Sequence, residues 1–265
     1  MKIGCHAVLF GAKLAEVPAE VFAQLNQSGF QGAEVGIRFM KEPGAFEKVI
    51  SAAEKEGIEI SAIHHMVRLT DFIDDPQKAA ETINDGVALA KRLVNKNIEL
   101  TGVVFDSPEN RQVDERLSDP EFVKKVMEGL NASAKSAAAE GVSINYHNHS
   151  WEFENDALIF NSMIKYAPEL MMGMDTGWAY RSGYDPIKLI RENPSRYRYL
   201  HIRDYNSELG EFVNVGEGEM NLKELFKAAE EALGADGWAI VEYETGPKNY
   251  KRYVTAKIYL DWLLG

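Results

Sequence analysis

The segment Val142-Ser-Ile-Asn-Tyr-His147-Asn-His149-Ser-Trp-Glu152-Phe-Glu154 carries the pattern that decides the fold of this chain. Its first residues alternate between apolar and polar side chains, which predicts a β-strand with one apolar face. The polar face ends in the imidazoles of His147 and His149, and the carboxylate of Glu152 follows closely. Imidazole and carboxylate together suit a divalent metal such as Zn, Mn, Co or Mg. We expect a functional site where this strand ends; the alternative is a solvated polar loop.

A helix that stops at Gly141 precedes this strand, and the same strand-helix alternation recurs along the chain. Strands are predicted from residue 142 and at 2–8, 32–37, 58–65, 97–105, 170–176, 198–205 and 238–244. Helices are predicted at 12–28, 44–56, 76–94, 120–140, 160–166, 185–192, 221–233 and 249–264.

Eight such units in roughly 250 residues are the expected size of a (β/α)8 barrel. We therefore predict an α/β fold with a single (β/α)8 TIM barrel domain over residues 1–265. An open doubly wound sheet is the alternative, but it usually carries a glycine-rich phosphate turn after its first strand. Residues 9–13, Leu-Phe-Gly-Ala-Lys, do not form that fingerprint.

Composition restricts the classes of function. The chain has 265 residues, of which 45% are hydrophobic and 26% charged, as is typical of globular proteins. The formal net charge of −12, with no basic face in the sequence, disfavours nucleic acids and membrane surfaces as partners. One cysteine, Cys5, permits no internal disulfide, and neither a signal peptide nor a transmembrane run is apparent. We expect a cytoplasmic protein with a small-molecule partner, and the sequence leaves a homo-oligomer open.

The histidines and inward charges gather where a barrel carries its active site, at the C-terminal ends of the strands. All six histidines fall late in a predicted strand or just after one, at His6, His64, His65, His147, His149 and His201. Alternation along three successive strands points Asp175, His201 and Glu242 inward, with Arg203 and Glu244 on the same faces as the last two. Buried charges are costly unless they are paired or metal-bound, so a metal site and an internal ion-pair network are the two interpretations.

Several segments resemble the xylose isomerase-like TIM barrel superfamily, the sugar phosphate isomerase/epimerase group. They are residues 29–34, 146–153, 174–178, 201–204, 215–220 and 240–242, and their order and spacing run nearly the whole length. The resemblance implies one divalent metal ion (Mn, Mg, Co or Zn) held by Glu, Asp, His and Glu from successive strands. It assigns three of these positions to Asp175, His201 and Glu242.

The fourth metal ligand departs from the family pattern. Many relatives carry a glutamate near the end of the fifth strand, where this chain has Tyr146 or His147. We assign the fourth ligand to Glu152 in the following loop, and one of the imidazoles of His147 and His149 is the alternative. The predicted catalytic residues are Glu152, Glu242 and His149, and the predicted substrate-binding residues are His65, His147, Trp178 and Arg203.

The resemblance implies a metal-dependent isomerase or epimerase that acts on a small keto-sugar or polyol through an enediolate. The metal polarises a carbonyl while a carboxylate or histidine moves the neighbouring proton. Dehydration and 3-keto-glycoside elimination share this first step, so a dehydratase or 3-keto-glycoside hydrolase is the alternative, followed by a non-catalytic sugar-binding barrel. An endonuclease branch with three zinc ions is disfavoured, because Trp178 replaces a further histidine ligand and the chain is acidic.

Overall fold

In the computed structural model, which describes residues 1–40, 42–105 and 112–265, eight parallel strands form a closed barrel. The order around the barrel is β1-β10-β7-β6-β5-β4-β3-β2, and a two-stranded antiparallel hairpin, β8-β9, stands apart from it. The strands are β1 (Lys2–His6), β2 (Gly32–Gly36), β3 (Glu59–Arg68), β4 (Asn97–Val103), β5 (Ser143–His147), β6 (Met171–Asp175), β7 (Tyr197–Ile202), β8 (Asp204–Asn206), β9 (Glu211–Val213) and β10 (Trp238–Val241). The predicted (β/α)8 barrel is confirmed.

Eleven α-helices lie within the described ranges. They are α1 (Lys13–Glu16), α2 (Pro18–Ser28), α3 (Ala45–Lys55), α4 (Asp71–Asp74), α5 (Pro76–Ala90), α6 (Pro120–Ala139), α7 (Glu154–Tyr166), α8 (Thr176–Arg181), α9 (Pro186–Glu192), α10 (Leu222–Leu233) and α11 (Lys251–Leu264). The helix predicted at 12–28 is two helices, because Pro18 starts α2 at its first position. None of these helices is long and apolar enough to span a membrane.

Side chains fill the barrel interior below the C-terminal ends of the strands, which leaves the C-terminal rim as the place for a site. A buried apolar cluster lies inside the barrel and consists of Trp238, Tyr199, Ala62 and Ile240. Gly32 on β2 makes room for this cluster, since a Cβ there would lie 2.5 Å from the Trp238 ring. The helices pack against the outer face of the strands in a second, larger core. Polar side chains above the cluster therefore converge at the ends of the strands.

One carboxyl group inside the barrel has no hydrogen-bond partner among the described residues. Glu99 on β4 is fully buried, and neither of its oxygens is paired. The neighbouring amide of Asn145 donates instead to the carbonyl of Ile98 at 3.2 Å. Gly173 on β6 leaves the space that the carboxyl group occupies, because a Cβ there would lie 1.9 Å from Oε2. Burial first, and then the charge of Glu34, raise the pKa of Glu99 well above its ordinary value.

We predict that Glu99→Gln makes the stability of the protein less sensitive to high pH. Because the pKa of Glu99 is higher in the folded than in the unfolded state, the folded state binds more protons above the ordinary glutamate pKa. Wild-type stability should therefore fall by up to about 1.4 kcal/mol per pH unit from this group as pH rises. Urea unfolding at pH 5, 6, 7 and 8 measures the difference, which should grow with pH in favour of the variant.

Glu169→Gln, at an exposed position, is the matched control and should follow the wild-type pH dependence. Parallel stability curves for wild type and Glu99→Gln over this range would contradict the prediction.

Candidate metal centre

Four side chains from consecutive strands of the ring converge at the C-terminal rim. They are His147 at the end of β5, Asp175 at the end of β6, His201 on β7 and Glu242 directly after β10. One nitrogen or oxygen of each lies within 4.8 Å of the others, and all four residues are buried. Two imidazoles and two carboxylates form a donor set typical of Zn, Mn or Co, and the predicted convergence of Asp175, His201 and Glu242 is present.

The state of His147 fits a ligand role. Its Nδ1 is buried and has no hydrogen-bond partner among the described residues. Burial first, and then the charge of His201, lower the pKa of His147 well below its ordinary value, which favours the neutral imidazole that metals bind. A buried, unpaired nitrogen is costly, and coordination to a divalent ion would remove that cost. The residues present therefore fit the metal that the sequence predicts.

Arg203, predicted to bind substrate, pairs with two of these four residues. Its Nε donates to Oδ2 of Asp175 at 2.6 Å, and its Nη2 lies 3.0 Å from Oε1 of Glu242. Nη2 also reaches Oε2 of Glu244 at 3.3 Å. The side chain is only 2% exposed, so its charge balances the carboxylates and fixes their orientation. The structure therefore directs Arg203 to the carboxylates of the cluster.

Glu34 on β2 is not one of the four cluster residues, but it holds the cluster in place. Its Oε2 lies 2.8 Å from Nε2 of His201, whose Nδ1 lies 2.5 Å from Oε2 of Glu242. Although burial opposes it, the charges of Glu34 and Glu242 raise the pKa of His201 well above its ordinary value. Without a metal both ring nitrogens therefore donate to these carboxylates, whereas a metal bound at Nδ1 would displace the proton there and leave Glu34 to orient the ring through Nε2. The Nδ1 of His201 is thus the nitrogen that faces the rest of the cluster.

Glu34, His6 and His64 also come within ligand distance of one another, but hydrogen bonds explain this second group. The Val8 amide donates to Nδ1 of His6 at 2.8 Å, so the proton of the neutral ring sits on Nε2. Nε2 lies 2.9 Å from Oε1 of Glu34, and Nδ1 of His64 lies 2.7 Å from the same oxygen. His6 therefore acts as a donor to Glu34.

Glu152, predicted as a metal ligand and a base, does not join the cluster. Its Oε1 accepts a hydrogen bond from the Tyr146 hydroxyl and its Oε2 one from the His149 amide, both at 2.7 Å. Strand β5 ends at His147, and the next residues turn so that Glu152 reaches back to the backbone. Burial raises the pKa of Glu152 to about 7. In the structure His147, the alternative ligand, occupies the fourth position of the cluster, which we assigned to Glu152 from the sequence.

A cavity of about 280 Å³ opens above the cluster, a size suited to a small ligand. Its polar lining includes His64, His147, His149, Glu242 and Glu244. His64 on β3 and the histidines at the end of β5 line one part of the pocket, and the two glutamates after β10 lie beside His6 of the neighbouring strand β1. Imidazoles and carboxylates therefore both border the pocket.

Aromatic rings fix the position of His149 beside the pocket. Trp151 stacks on its ring with centroids 4.3 Å apart and the planes 8° from parallel. Trp178 lies 5.6 Å from His149 and packs edge-on against Phe212 of β9 at 4.8 Å. Trp178, predicted to bind substrate, is thus placed in the wall behind His149.

His65 and His64 occupy opposite faces of β3. Nε2 of His65 lies 2.7 Å from the carbonyl oxygen of Thr82 in α5, which orients the ring toward that helix, although the residue borders the pocket. Nε2 of His64, in contrast, lies 3.1 Å from the hydroxyl of Thr101 inside the rim. The sequence does not single out His64 as the inward residue of this pair. The alternation along β3 could have indicated it, because the apolar, buried Ile63 lies on the outer face together with His65.

The loop after β7 is tied to a single carboxylate. Asp204 accepts hydrogen bonds from the amides of Gly216 and Gly218, each at 3.0 Å, and from Met220 at 3.2 Å. Gly218 is required there, because a Cβ would lie 2.2 Å from Oδ1 of Asp204. These hydrogen bonds hold residues 216–220 against Asp204, the first residue of the β8-β9 hairpin.

Comparison with known proteins supports the same architecture. Residues 22–258 match the family described as xylose isomerase-like TIM barrel. The inosose dehydratase of Geobacillus kaustophilus is 22% identical over 273 residues, covering 92% of this chain and 87% of that protein. A sugar phosphate isomerase/epimerase from Parabacteroides distasonis superposes with a TM-score of 0.77 at 20% identity, over 98% and 93% of the two chains. A D-tagatose 3-epimerase-like protein gives 0.77 at 17%, over 100% and 97%.

We predict that His147→Ala and Asp175→Ala lose at least about tenfold in affinity for a divalent metal, whereas Glu152→Gln keeps it. The first two remove a donor of the buried cluster, and the third changes a side chain whose oxygens accept hydrogen bonds from the Tyr146 hydroxyl and the His149 amide. Titration with Mn²⁺ and elemental analysis after dialysis measure affinity and content. The assignment is wrong if Glu152→Gln loses as much metal as His147→Ala.

Proposed function

Because the chain belongs to the xylose isomerase-like TIM barrel family, we propose that it is a divalent-metal-dependent dehydratase of a small keto-polyol. The observation that carries this proposal is the position of Glu152, whose two oxygens are both engaged away from the pocket. Epimerisation through two carboxylates needs one on each face of the reacting carbon, and Glu152 is not available for one of them. Elimination needs a single group that carries a proton from carbon to the leaving hydroxyl. The inosose dehydratase name of a relative agrees with this choice.

His149 is the proton carrier in this proposal. It lines the pocket, and its Nδ1 has no hydrogen-bond partner among the described residues. Burial first, and then the charge of Arg203, lower the pKa of His149 to about 3, so the resting imidazole is neutral. The stacked ring of Trp151 holds its plane. Glu152 acts as a positioning residue, since its hydrogen bond to the His149 amide sets where this side chain begins.

The reaction then needs two proton transfers at one imidazole. A divalent ion held by His147, Asp175, His201 and Glu242 would polarise the ketone and stabilise the charge that develops on its oxygen. His149 takes the proton from the carbon beside the ketone, and the C–H electron pair becomes part of a carbon–carbon double bond. The protonated imidazole then returns the proton to the hydroxyl on the next carbon. As the C–O bond breaks, the enolate electrons reform the ketone and leave the double bond between the two neighbouring carbons, and the hydroxyl departs with the returned proton as water.

An epimerase or isomerase is the second candidate, and Glu244 favours it. Its side chain lines the same pocket as His149 and is 44% exposed. Glu244 and His149 would then act on opposite faces of one carbon, as inversion requires. The structural neighbours named for isomerisation and epimerisation share the fold.

We predict that the metal-loaded protein, incubated in deuterium oxide with a panel of inososes, 3-keto-glucosides and keto-sugars, forms an unsaturated ketone from one of them with loss of water. Mass spectrometry and ultraviolet absorbance detect that product. His149→Gln should lower kcat at least about 100-fold while metal content is retained, because it removes only the proton carrier.

Deuterium retained at the carbon beside the ketone, with inverted configuration and no loss of water, would favour the second candidate. No exchange and no elimination with any member of the panel under saturating Mn²⁺, Mg²⁺, Co²⁺ or Zn²⁺ would refute the enzymatic proposal. Glu152→Gln should retain partial activity, since glutamine still accepts the His149 amide hydrogen bond.

A further inference from the structure

A second cavity of about 590 Å³ adjoins the pocket above the metal centre. Its walls come from the turn after β1, the start of α1 and the segment between β10 and α11. Val8, Arg38 and Glu244 line both spaces, so the two meet along these residues. A substrate bound by its reacting end at the metal centre can therefore extend a substituent into this second cavity.

The second cavity is basic, in contrast to the chain as a whole, whose formal net charge is −12. Lys13, Arg38 and Lys248 line it, and Glu244 is the one carboxylate among its described lining residues. Arg38 stacks over the ring of Phe39 at 4.7 Å, and Lys248 donates to the main-chain carbonyl of Glu244 at 2.7 Å. Within the described part of the chain, neither these two cations nor Lys13 forms an ion pair with a carboxylate.

The single carboxylate at the border does not cancel this charge. Nη2 of Arg203 lies 3.3 Å from Oε2 of Glu244, so a buried cation outside the cavity already faces that oxygen. Three cations against one partly compensated anion leave an excess of positive charge at the cavity wall. Cations without anionic partners beside a substrate pocket attract an anionic ligand and disfavour a neutral one.

We propose that this second cavity is a subsite for an anionic substituent of the substrate, a carboxylate or a phosphate. The substrate class is thus a keto-polyol that carries one anionic group away from its reacting carbons, and this rests on the proposed function for the reacting end. The arginine offers a planar pair of donors, while the lysines act as point charges. Because the cations are exposed, each contributes about a fivefold preference at most, and added salt screens it.

Binding measured by calorimetry with metal-loaded protein tests the subsite without requiring turnover. The probes are D-glucuronate, D-glucose 6-phosphate and D-glucose at low ionic strength. We expect at least one anion to bind about fivefold or more tightly than glucose, and comparison of the two anions tells carboxylate from phosphate. The double variant Lys13→Gln/Lys248→Gln, whose residues line the second cavity and not the pocket above the metal centre, should lose this preference and keep its affinity for glucose. Lys227→Gln, an exposed charge removal on α10, is the control and should behave as wild type.

Equal affinity for glucose and both anions, or a preference that survives the double variant, overturns the subsite. A preference that persists unchanged in 0.5 M NaCl overturns it independently of any variant. Failure of the anionic subsite can be distinguished from failure of the proposed reaction. Selective anion binding without dehydration keeps the subsite and refutes the dehydratase, whereas dehydration of a neutral inosose without anion preference keeps the reaction and refutes the subsite.

Discussion

The buried carboxylate of Glu34 is the constraint on which the candidate site depends. It accepts contacts from imidazoles on three different strands, His6 on β1, His64 on β3 and His201 on β7. Burial opposes its charge, yet His201 and His6 hold the pKa of Glu34 well below its usual range. Removal of one partner of such a buried pair typically costs about 3–5 kcal/mol, because the remaining groups stay uncompensated. The orientation of His201, and with it the geometry of the candidate metal site, thus rests on a residue outside that site.

The barrel could be predicted because each unit repeats a local signal. A helix that ends at a glycine such as Gly29 or Gly141, and the alternation within a strand, are both properties of a few neighbouring residues. The same alternation predicted that Asp175, His201 and Glu242 point into the barrel. The fourth position could not be assigned in this way. The direction of the turn after β5 depends on Tyr146, whose hydroxyl fills a space left by the absent side chain of Gly102 on β4. Local alternation contains no information about a space on a neighbouring strand.

The Glu34 contacts escaped prediction for a related reason. The contact between Glu34 and His201 joins residues 167 apart in sequence, on β2 and β7, which are not neighbours in the sheet, so it forms only when the barrel closes. The pairing of β2 with β3 also shifts register between Ala33 and Glu34, so counting from a strand's start does not tell which face a later side chain occupies. His64 lies two residues beyond Ala62, where the shifted pairing begins, so the shift affects the face that it occupies.

The amide cage around Asp204 has a consequence for how this molecule can diversify. It ties the segment after β9 to the start of β8, so substitutions of Asp204, Gly216 or Gly218 would disturb this loop. The described residues that line both cavities come from the turns after β1 and β2 and from the segment following β10, and none of them belongs to that cage. Substitutions in these segments can therefore alter which molecules enter the pocket while the loop after β7 keeps its structure. In this barrel, mutational freedom and mutational restraint are assigned to different loops of one opening.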